Sequence, residues 1–407
     1  MINRRVINFF IKVFSRIGIT KIEILHSIYR KDVQNIVFLY SKFKVLQIQK
    51  LISETTRPFV IAGPCSAETE EQVFTISKQV ADYKLASVLR AGIWKPRTRP
   101  DSFEGVGEVG LKWLVDAGKS VGLPVATEVA NKTHVELAMK AGVDILWIGA
   151  RTTVNPFAVQ EIADALTGTQ IPILIKNPVN PDLELWIGAF ERLEKAGLTD
   201  LAAIHRGFSV YKHPKYRNVP NWEIPIALKE RRPDLSIICD PSHITGNRSL
   251  IAEVSQKAMD LNFEGLMIET HNNPDQAWSD SAQQVTVDKL NLIIQNLVLR
   301  TNQVSNEFAS YLIEVREKID ILDDRLFDLL TARMTLSEEV GQFKRENNIM
   351  ILQQEHWARI INKRLDLSAE YHLSEKFVRQ FMDAIHQESI RHQIKVMNPK
   401  SENDSSK

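Results

Sequence analysis

From residue 57 onward, short apolar and β-branched runs recur along the chain. They are Phe59-Val60-Ile61-Ala62, Ser87-Val88-Leu89, Pro124-Val125-Ala126, Ile145-Leu146-Trp147-Ile148, Pro172-Ile173-Leu174-Ile175, Leu201-Ala202-Ala203-Ile204, Ser236-Ile237-Ile238-Cys239 and Leu266-Met267-Ile268. Segments of helical periodicity, such as His134 to Lys140 and Leu250 to Leu261, separate most of them. A strand buried on both faces reads as an unbroken apolar run, so eight such runs with helical crossovers predict a parallel sheet. Closed on itself, that sheet is a (β/α)8 TIM barrel, an α/β fold; a doubly wound open sheet is the alternative.

The strand signal ends after residue 282. Residues 283–300 read as a last barrel helix, and 301–309 as a polar linker. A long helix is predicted from Leu312 to Lys344, with Leu312, Val315, Ile319, Leu322, Leu326, Leu329, Leu336, Val340 and Phe343 at alternating steps of three and four. Two more helices follow, Gln353–Leu367 and Ser374–Met397, the second with Phe377, Phe381 and Ile385 on one face. The expected organisation is therefore an extension over 1–50, a barrel over 51–300, an all-α helical domain over 310–397 and a disordered polar tail over 398–407.

Composition narrows the classes. With 407 residues, 44% hydrophobic and 25% charged, the chain can bury more than one core. A net charge of +1 gives no global reason to expect nucleic acid. Cys65 and Cys239, the two cysteines, make a disulfide framework improbable and fit a reducing cytoplasm. No apolar run reaches the length of a membrane span, and no membrane association is expected. The first 50 residues hold ten Lys/Arg against Glu23 and Asp32. They read as an accessory extension or as translated upstream sequence, the alternative being a basic membrane-surface helix.

In a barrel of this kind the site lies at the carboxyl ends of the strands. Just past each apolar run the chain has Cys65, Arg90 with Lys95, Glu128, Arg151, Lys176, His205-Arg206, Asp240 with His243, and Glu269. Arg90, Lys95, Arg151, Lys176 and Arg206 together require an anionic ligand, and guanidinium forks match phosphate and carboxylate. Cys65, His243, Glu269 and Asp280 offer one sulfur, one nitrogen and two oxygen donors, a set suited to a divalent transition metal of the Mn, Fe, Co or Zn type. Cys65 alone would more often be an inert buried thiol; its company reverses that weighting. Cys239 is expected to be core. Lys176 has a rival role as the Schiff-base lysine of an aldolase. Gly105-Val106-Gly107-Glu108-Val109-Gly110 matches a dinucleotide fingerprint, but no apolar strand precedes it, and the match is rejected.

Gly63-Pro64-Cys65-Ser66, Lys95-Pro96-Arg97-Thr98, Ile148-Gly149-Ala150-Arg151, His205-Arg206-Gly207, Asp240-Pro241-Ser242-His243 and the Glu269 to Ser279-Asp280 segment together resemble 3-deoxy-D-arabino-heptulosonate 7-phosphate (DAHP) synthases lacking long barrel extensions. The resemblance implies a metal held by Cys65, His243, Glu269 and Asp280. It implies phosphoenolpyruvate on Arg90, Lys95, Arg151, Lys176 and Arg206, and erythrose 4-phosphate on Arg97 and Thr98. Asp240 would lie near the reacting aldehyde, and Glu128 would place the attacking water. His205 would orient Arg206 or the ligand, with a structural role as its alternative. A related synthase takes arabinose 5-phosphate; Lys95-Pro96-Arg97-Thr98 favours the four-carbon aldose. Arg99 stands where many members carry Ser.

On the long helix Arg333 interrupts the apolar stripe, with Arg316 and Lys344 near it, and Ser389 and Gln393 continue the apolar face of the last helix. Buried guanidinium needs an anion, whereas a satisfied surface arginine on a docking module would not. Val315-Arg316-Glu317-Lys318-Ile319-Asp320, Ala332-Arg333, Val340-Gly341, Lys344 and Glu388-Ser389 with Gln393 resemble the all-helical chorismate mutases. That resemblance implies that Arg316 and Arg333 hold the two carboxylates of chorismate, that Lys344 and Gln393 stabilise the ether oxygen, and that the site is completed in a homodimer or higher oligomer. Gln353-Gln354-Glu355-His356-Trp357 departs from the Asp-x-x-Arg-Glu usual on the second helix. The expected protein is a bifunctional enzyme of aromatic amino-acid biosynthesis, with prephenate feedback on the barrel; the alternative is a synthase whose helical domain binds and dimerises without chemistry.

Overall fold

The computed structural model describes residues 46–55, 57–96, 101–211, 215–300 and 306–398. The extension before residue 46, Arg97, Thr98 and Arg99, and the tail after residue 398 lie outside the described residues. The chain divides into two units, 1–300 and 301–407.

In the first unit α1 (Ile48–Glu54) precedes β1 (Phe59–Gly63), α2 (Glu70–Asp82), β2 (Val88–Arg90), α3 (Glu108–Val121), β3 (Val125–Val129) and α4 (Lys132–Ala141). There follow β4 (Ile145–Ile148), α5 (Ala150–Thr153), α6 (Pro156–Leu166), β5 (Ile173–Lys176), α7 (Leu183–Lys195), β6 (Leu201–His205) and α8 (Glu223–Arg231). The unit ends with β7 (Ile237–Cys239), α9 (Pro241–Thr245), α10 (Ile251–Asp260), β8 (Gly265–Glu269) and α11 (Val287–Gln295). All eight strands are parallel, each pairs with its sequence neighbours, and β8 closes on β1. The open-sheet alternative is thereby excluded. Helix starts follow local chemistry: Thr69, Asn131, Asn155, Asp182 and Thr286 each accept a backbone N–H of the first turn.

Strand alternation sorts the apolar residues into two cores. Phe59, Ile61, Val88, Ala126, Ile145, Trp147, Leu174, Ala202, Ile204, Ile238 and Met267 fill the barrel, with Ile48 and Ile52 of α1 packed among them. Val60, Leu89, Leu146, Ile148, Ile175, Ala203, Cys239 and Ile268 face the helices in the outer layer. Cys239 is core, as the sequence predicts.

The second unit is three helices, α12 (Asn306–Glu346), α13 (Gln354–Asp366) and α14 (Glu375–Met397, capped by Ser374). Two expectations shift. The linker is shorter than read, because α12 already begins at Asn306 and continues through Ala309. The predicted stripe is not covered: Ile319, Leu322, Leu326, Leu329, Leu336, Val340 and Phe343 are exposed. α14 runs parallel to α12, with Arg333 against Ser389 and Arg345 against Val396, and the stripe residues stay exposed beside it. No helix among the described residues is long and apolar enough to cross a membrane.

Candidate active sites

On six of the eight strands, stepping by two from the inward residue leads to the polar rim. Val88 leads to Arg90, Ala126 to Glu128, Leu174 to Lys176, Ile204 to Arg206, Ile238 to Asp240 and Met267 to Glu269. The pleat therefore turns six charged side chains to one side. Their neighbours of opposite parity, His205 and Cys239, point into the outer layer.

His205 is the correction this register forces. Its ring lies among Phe208, Trp222 and Phe263, with centroids 5.8, 5.2 and 6.2 Å away. Burial, followed by Arg206, pushes its pKa down to about 3. A neutral imidazole in an aromatic cage behind the barrel wall does not orient a ligand at the rim.

The five cations at the strand ends lie near one another and near acidic partners. Arg90 and Lys176 both lie over Trp147, at 4.8 and 5.8 Å from its centroid. Arg90 is 3.2 Å from Glu269 Oε1, and Lys176 Nζ donates to Asp240 Oδ2 at 2.9 Å. Lys95 Nζ donates to the Cys65 carbonyl and lies 3.2 Å from Cys65 Sγ. Arg206 donates to Asn218 Oδ1 at 2.8 Å, and burial lowers its pKa to about 10. Arg151 donates to the Pro96 carbonyl, next in sequence to Arg97.

Glu128 receives the Trp147 indole N–H at 2.8 Å. A Cβ on Gly149 would sit 2.2 Å from Glu128 Oε1, so only glycine leaves room for that carboxylate.

The four sulfur, nitrogen and oxygen donors arrive as two pairs. Cys65 Sγ is 3.5 Å from Asp280 Oδ2, and His243 Nε2 is 3.7 Å from Glu269 Oε1. Among the described residues no three such side chains already form a closed cage. The donors nevertheless fit a cation: Glu269 Oε1 is buried without a hydrogen bond of good geometry, and the mixed set suits a divalent transition ion. Burial, then Glu269, pushes the Cys65 thiol up to about 12. Burial opposes ionisation of Asp280, yet Arg217 and His243 outweigh it and hold the carboxyl well below its ordinary range. The same balance applies at Asp240, where His243 and Lys176 overcome burial. Asp240 also caps α9, accepting the His243 N–H at 3.0 Å, and contacts His243 Nδ1 at 2.8 Å.

Several supporting residues escaped sequence reasoning. Arg217 donates to Asp280 Oδ1 at 2.9 Å and to Gln283 Oε1 at 2.8 Å. Gln283 donates to Glu269 Oε2 at 2.7 Å, and Gln284 accepts the Cys65 N–H at 3.0 Å. Glu68 accepts the Trp278 N–H at 2.8 Å and meets His271 Nε2 at 3.3 Å. These bonds lash the loop after β1 to the loop after β8, which carry Cys65 and Asp280. They sit in irregular segments with no periodicity; the only sequence signal was the proximity of Gln283-Gln284 to Asp280.

In the helical unit, Arg333, Lys344, Ser389 and Gln393 line a cavity of about 290 Å³ with Ser337, Gln353, Trp357 and His386. Arg333 donates to Ser389 Oγ. Lys344 Nζ donates to the Ile351 carbonyl at 2.7 Å and to Gln393 Oε1 at 3.1 Å. Gly341 lets α14 approach, since a Cβ there would lie 3.0 Å from Gln393 Cα. Arg333 and Lys344, eleven residues apart, share a helix face at about 100° per residue, while Arg316 is displaced by about 100° and roughly 25 Å. Within one chain Arg316 is therefore not part of this cavity.

The comparisons agree with both halves. The DAHP synthetase I family profile matches residues 41–305, and the chorismate mutase type II profile matches residues 315–394. A phospho-2-dehydro-3-deoxyheptonate aldolase of Thermotoga maritima is 30% identical over 238 residues, covering 58% of this chain and 68% of the relative. A 2-dehydro-3-deoxyphosphooctonate aldolase of Brucella anthropi is 25% identical over 272 residues, 62% of this chain and 94% of the relative. The crystal structure of the Thermotoga maritima DAHP synthase superposes with a TM-score of 0.52 at 29% identity, covering 58% of this chain and 67% of that one. The chain belongs to the DAHP synthetase I family and carries a chorismate mutase type II domain after its barrel.

Proposed function

We propose that the barrel condenses phosphoenolpyruvate with erythrose 4-phosphate to DAHP and phosphate, and that the helical unit rearranges chorismate to prephenate in the cytoplasm. The observation that carries the first half is the strand parity, which directs Arg90, Glu128, Lys176, Arg206, Asp240 and Glu269 to one rim beside Cys65 and His243.

Arg90, Lys95, Arg151, Lys176 and Arg206 bind the phosphate and carboxylate of phosphoenolpyruvate and hold its enol face toward the aldehyde. A divalent ion held by Cys65, His243, Glu269 and Asp280 would supply Lewis-acid polarisation of the aldehyde carbonyl. Glu128, fixed by Trp147, orients water toward C2 of the enol phosphate. Asp240, between Lys176 and His243, stays ionised next to the aldehyde. Phosphate departs by carbon–oxygen cleavage. Arg97 and Thr98 select the four-carbon aldose; this matters because the octonate relatives also align with the barrel.

The test is phosphate release from phosphoenolpyruvate with erythrose 4-phosphate or arabinose 5-phosphate, with and without chelator. Release with erythrose 4-phosphate alone, abolished by chelator, supports the proposal. Chelator-insensitive turnover with borohydride trapping on Lys176 would replace it with the Schiff-base aldolase.

For the helical unit, a pericyclic step needs electrostatic stabilisation rather than a proton carrier, which suits a cavity with Arg333 and Lys344. The bare α12 stripe and the distance of Arg316 favour a homodimer in which a second copy covers the stripe and brings its own Arg316 to the cavity. A second reading draws on Trp357, which departs from the mutase pattern: the unit binds prephenate and dimerises without turnover. Chorismate turnover by the full chain separates the two. Prephenate titrated into the synthase assay tests feedback.

A further inference from the structure

Trp357 on α13 and His386 on α14 stack face to face, with ring centroids 3.9 Å apart and planes 8° from parallel. Both line the helical-unit cavity together with Arg333 and Lys344. Neither residue belongs to the set that the mutase resemblance supplies.

Among the described residues, the lining of this cavity contains two cations and no carboxylate. The hydrogen bonds of Arg333 and Lys344 go to a hydroxyl, a carbonyl and an amide oxygen, all neutral acceptors. Two positive charges without local compensation call for two negative charges on the occupant. Beside them stands a flat, pre-stacked aromatic surface, which costs little to order when a ring is laid against it. Burial, Arg333 and Lys344 lower the basicity of His386, against an opposing influence of Asp383. That shift favours the neutral imidazole, whose edge can accept as well as donate a hydrogen bond. At about 290 Å³ the space admits a single-ring metabolite.

We infer that the Trp357–His386 stack is a specificity-determining wall that receives the face of an unsaturated ring bearing two carboxylates. This rests on the chorismate and prephenate reading and adds what distinguishes the ring. A saturated ring of equal charge is puckered and loses the flat contact.

The experiment is calorimetric titration of the full-length protein with three probes: prephenate, benzene-1,3-dicarboxylate and cyclohexane-1,3-dicarboxylate. Wild type, Trp357→Phe, Trp357→Leu, His386→Leu and Arg333→Ala are compared. Wild type and Trp357→Phe should prefer the flat diacid over the saturated one by about 3- to 10-fold. Trp357→Leu and His386→Leu should lose that preference while still binding diacids. With chorismate, these two variants should raise KM more than they lower kcat, because the wall acts on ground and transition states alike. An unchanged flat-over-saturated ratio in both leucine variants overturns the wall, while loss of all binding in Arg333→Ala leaves the anion cavity standing. If Arg333→Ala binds every probe as wild type does, the reading of the cavity itself fails. Should Trp357→Leu not fold, His386→Leu decides by the same ratio.

Discussion

Glu128 shows how narrowly one carboxylate is held at the rim. The Trp147 indole bonds it from one side and the bare Cα of Gly149 faces it from another. Gly149→Ala should displace the carboxylate with little loss of fold, lowering synthase kcat by at least tenfold while phosphoenolpyruvate affinity changes less than threefold; stopped assays and equilibrium binding check this. His205 gives a pH prediction with a definite sign. Its ordinary pKa of 6.5 falls to about 3 in the folded barrel. Between those values the unfolded chain binds the extra proton, so the contribution is complete above pH 6.5 and declines as the pH falls. The slope is about 1.4 kcal/mol per pH unit. Urea midpoints between pH 7 and 5 should therefore fall less steeply for His205→Phe, whose ring suits the cage of Phe208, Trp222 and Phe263. Parallel curves for the two proteins would reject this assignment.

At the level of elements, every apolar run read from the sequence is a strand. Unbroken runs such as Ile145-Leu146-Trp147-Ile148 leave little else for doubly buried chain to do. Strand ends were legible because each apolar run gives way to a charged or polar side chain, such as Arg90, Lys176 and Glu269, that is still buried. Side-chain direction was not read: His205 and Arg206 are adjacent, yet the pleat sends one outward and the other to the rim. Arg217, Gln283 and Glu68 were hidden because loops impose no period on the residues they carry. The helices of the second unit were also legible, but the periodicity of the stripe on α12 cannot say what covers it. Leu322→Glu with Leu329→Glu should halve the sedimenting mass of the protein and abolish mutase turnover; an unchanged mass would exclude the stripe as an interface.

For the whole molecule, the two sites lie in separate compact units with their own packing. Chemistry at one should therefore be removable without the other. Cys65→Ala should abolish bound metal and synthase activity while chorismate turnover stays within twofold, measured on one preparation by metal analysis and both assays. Equal metal content in the variant and wild type would remove Cys65 from the donor set.

The uncovered length of α12 has a thermodynamic consequence. A surface buried only by association ties the survival of the helical unit to mass action, whereas the barrel closes on itself. Dilution should lower the melting temperature of the helical unit and leave that of the barrel fixed, so a thermogram recorded over a hundredfold range of protein should show one transition that travels and one that stays.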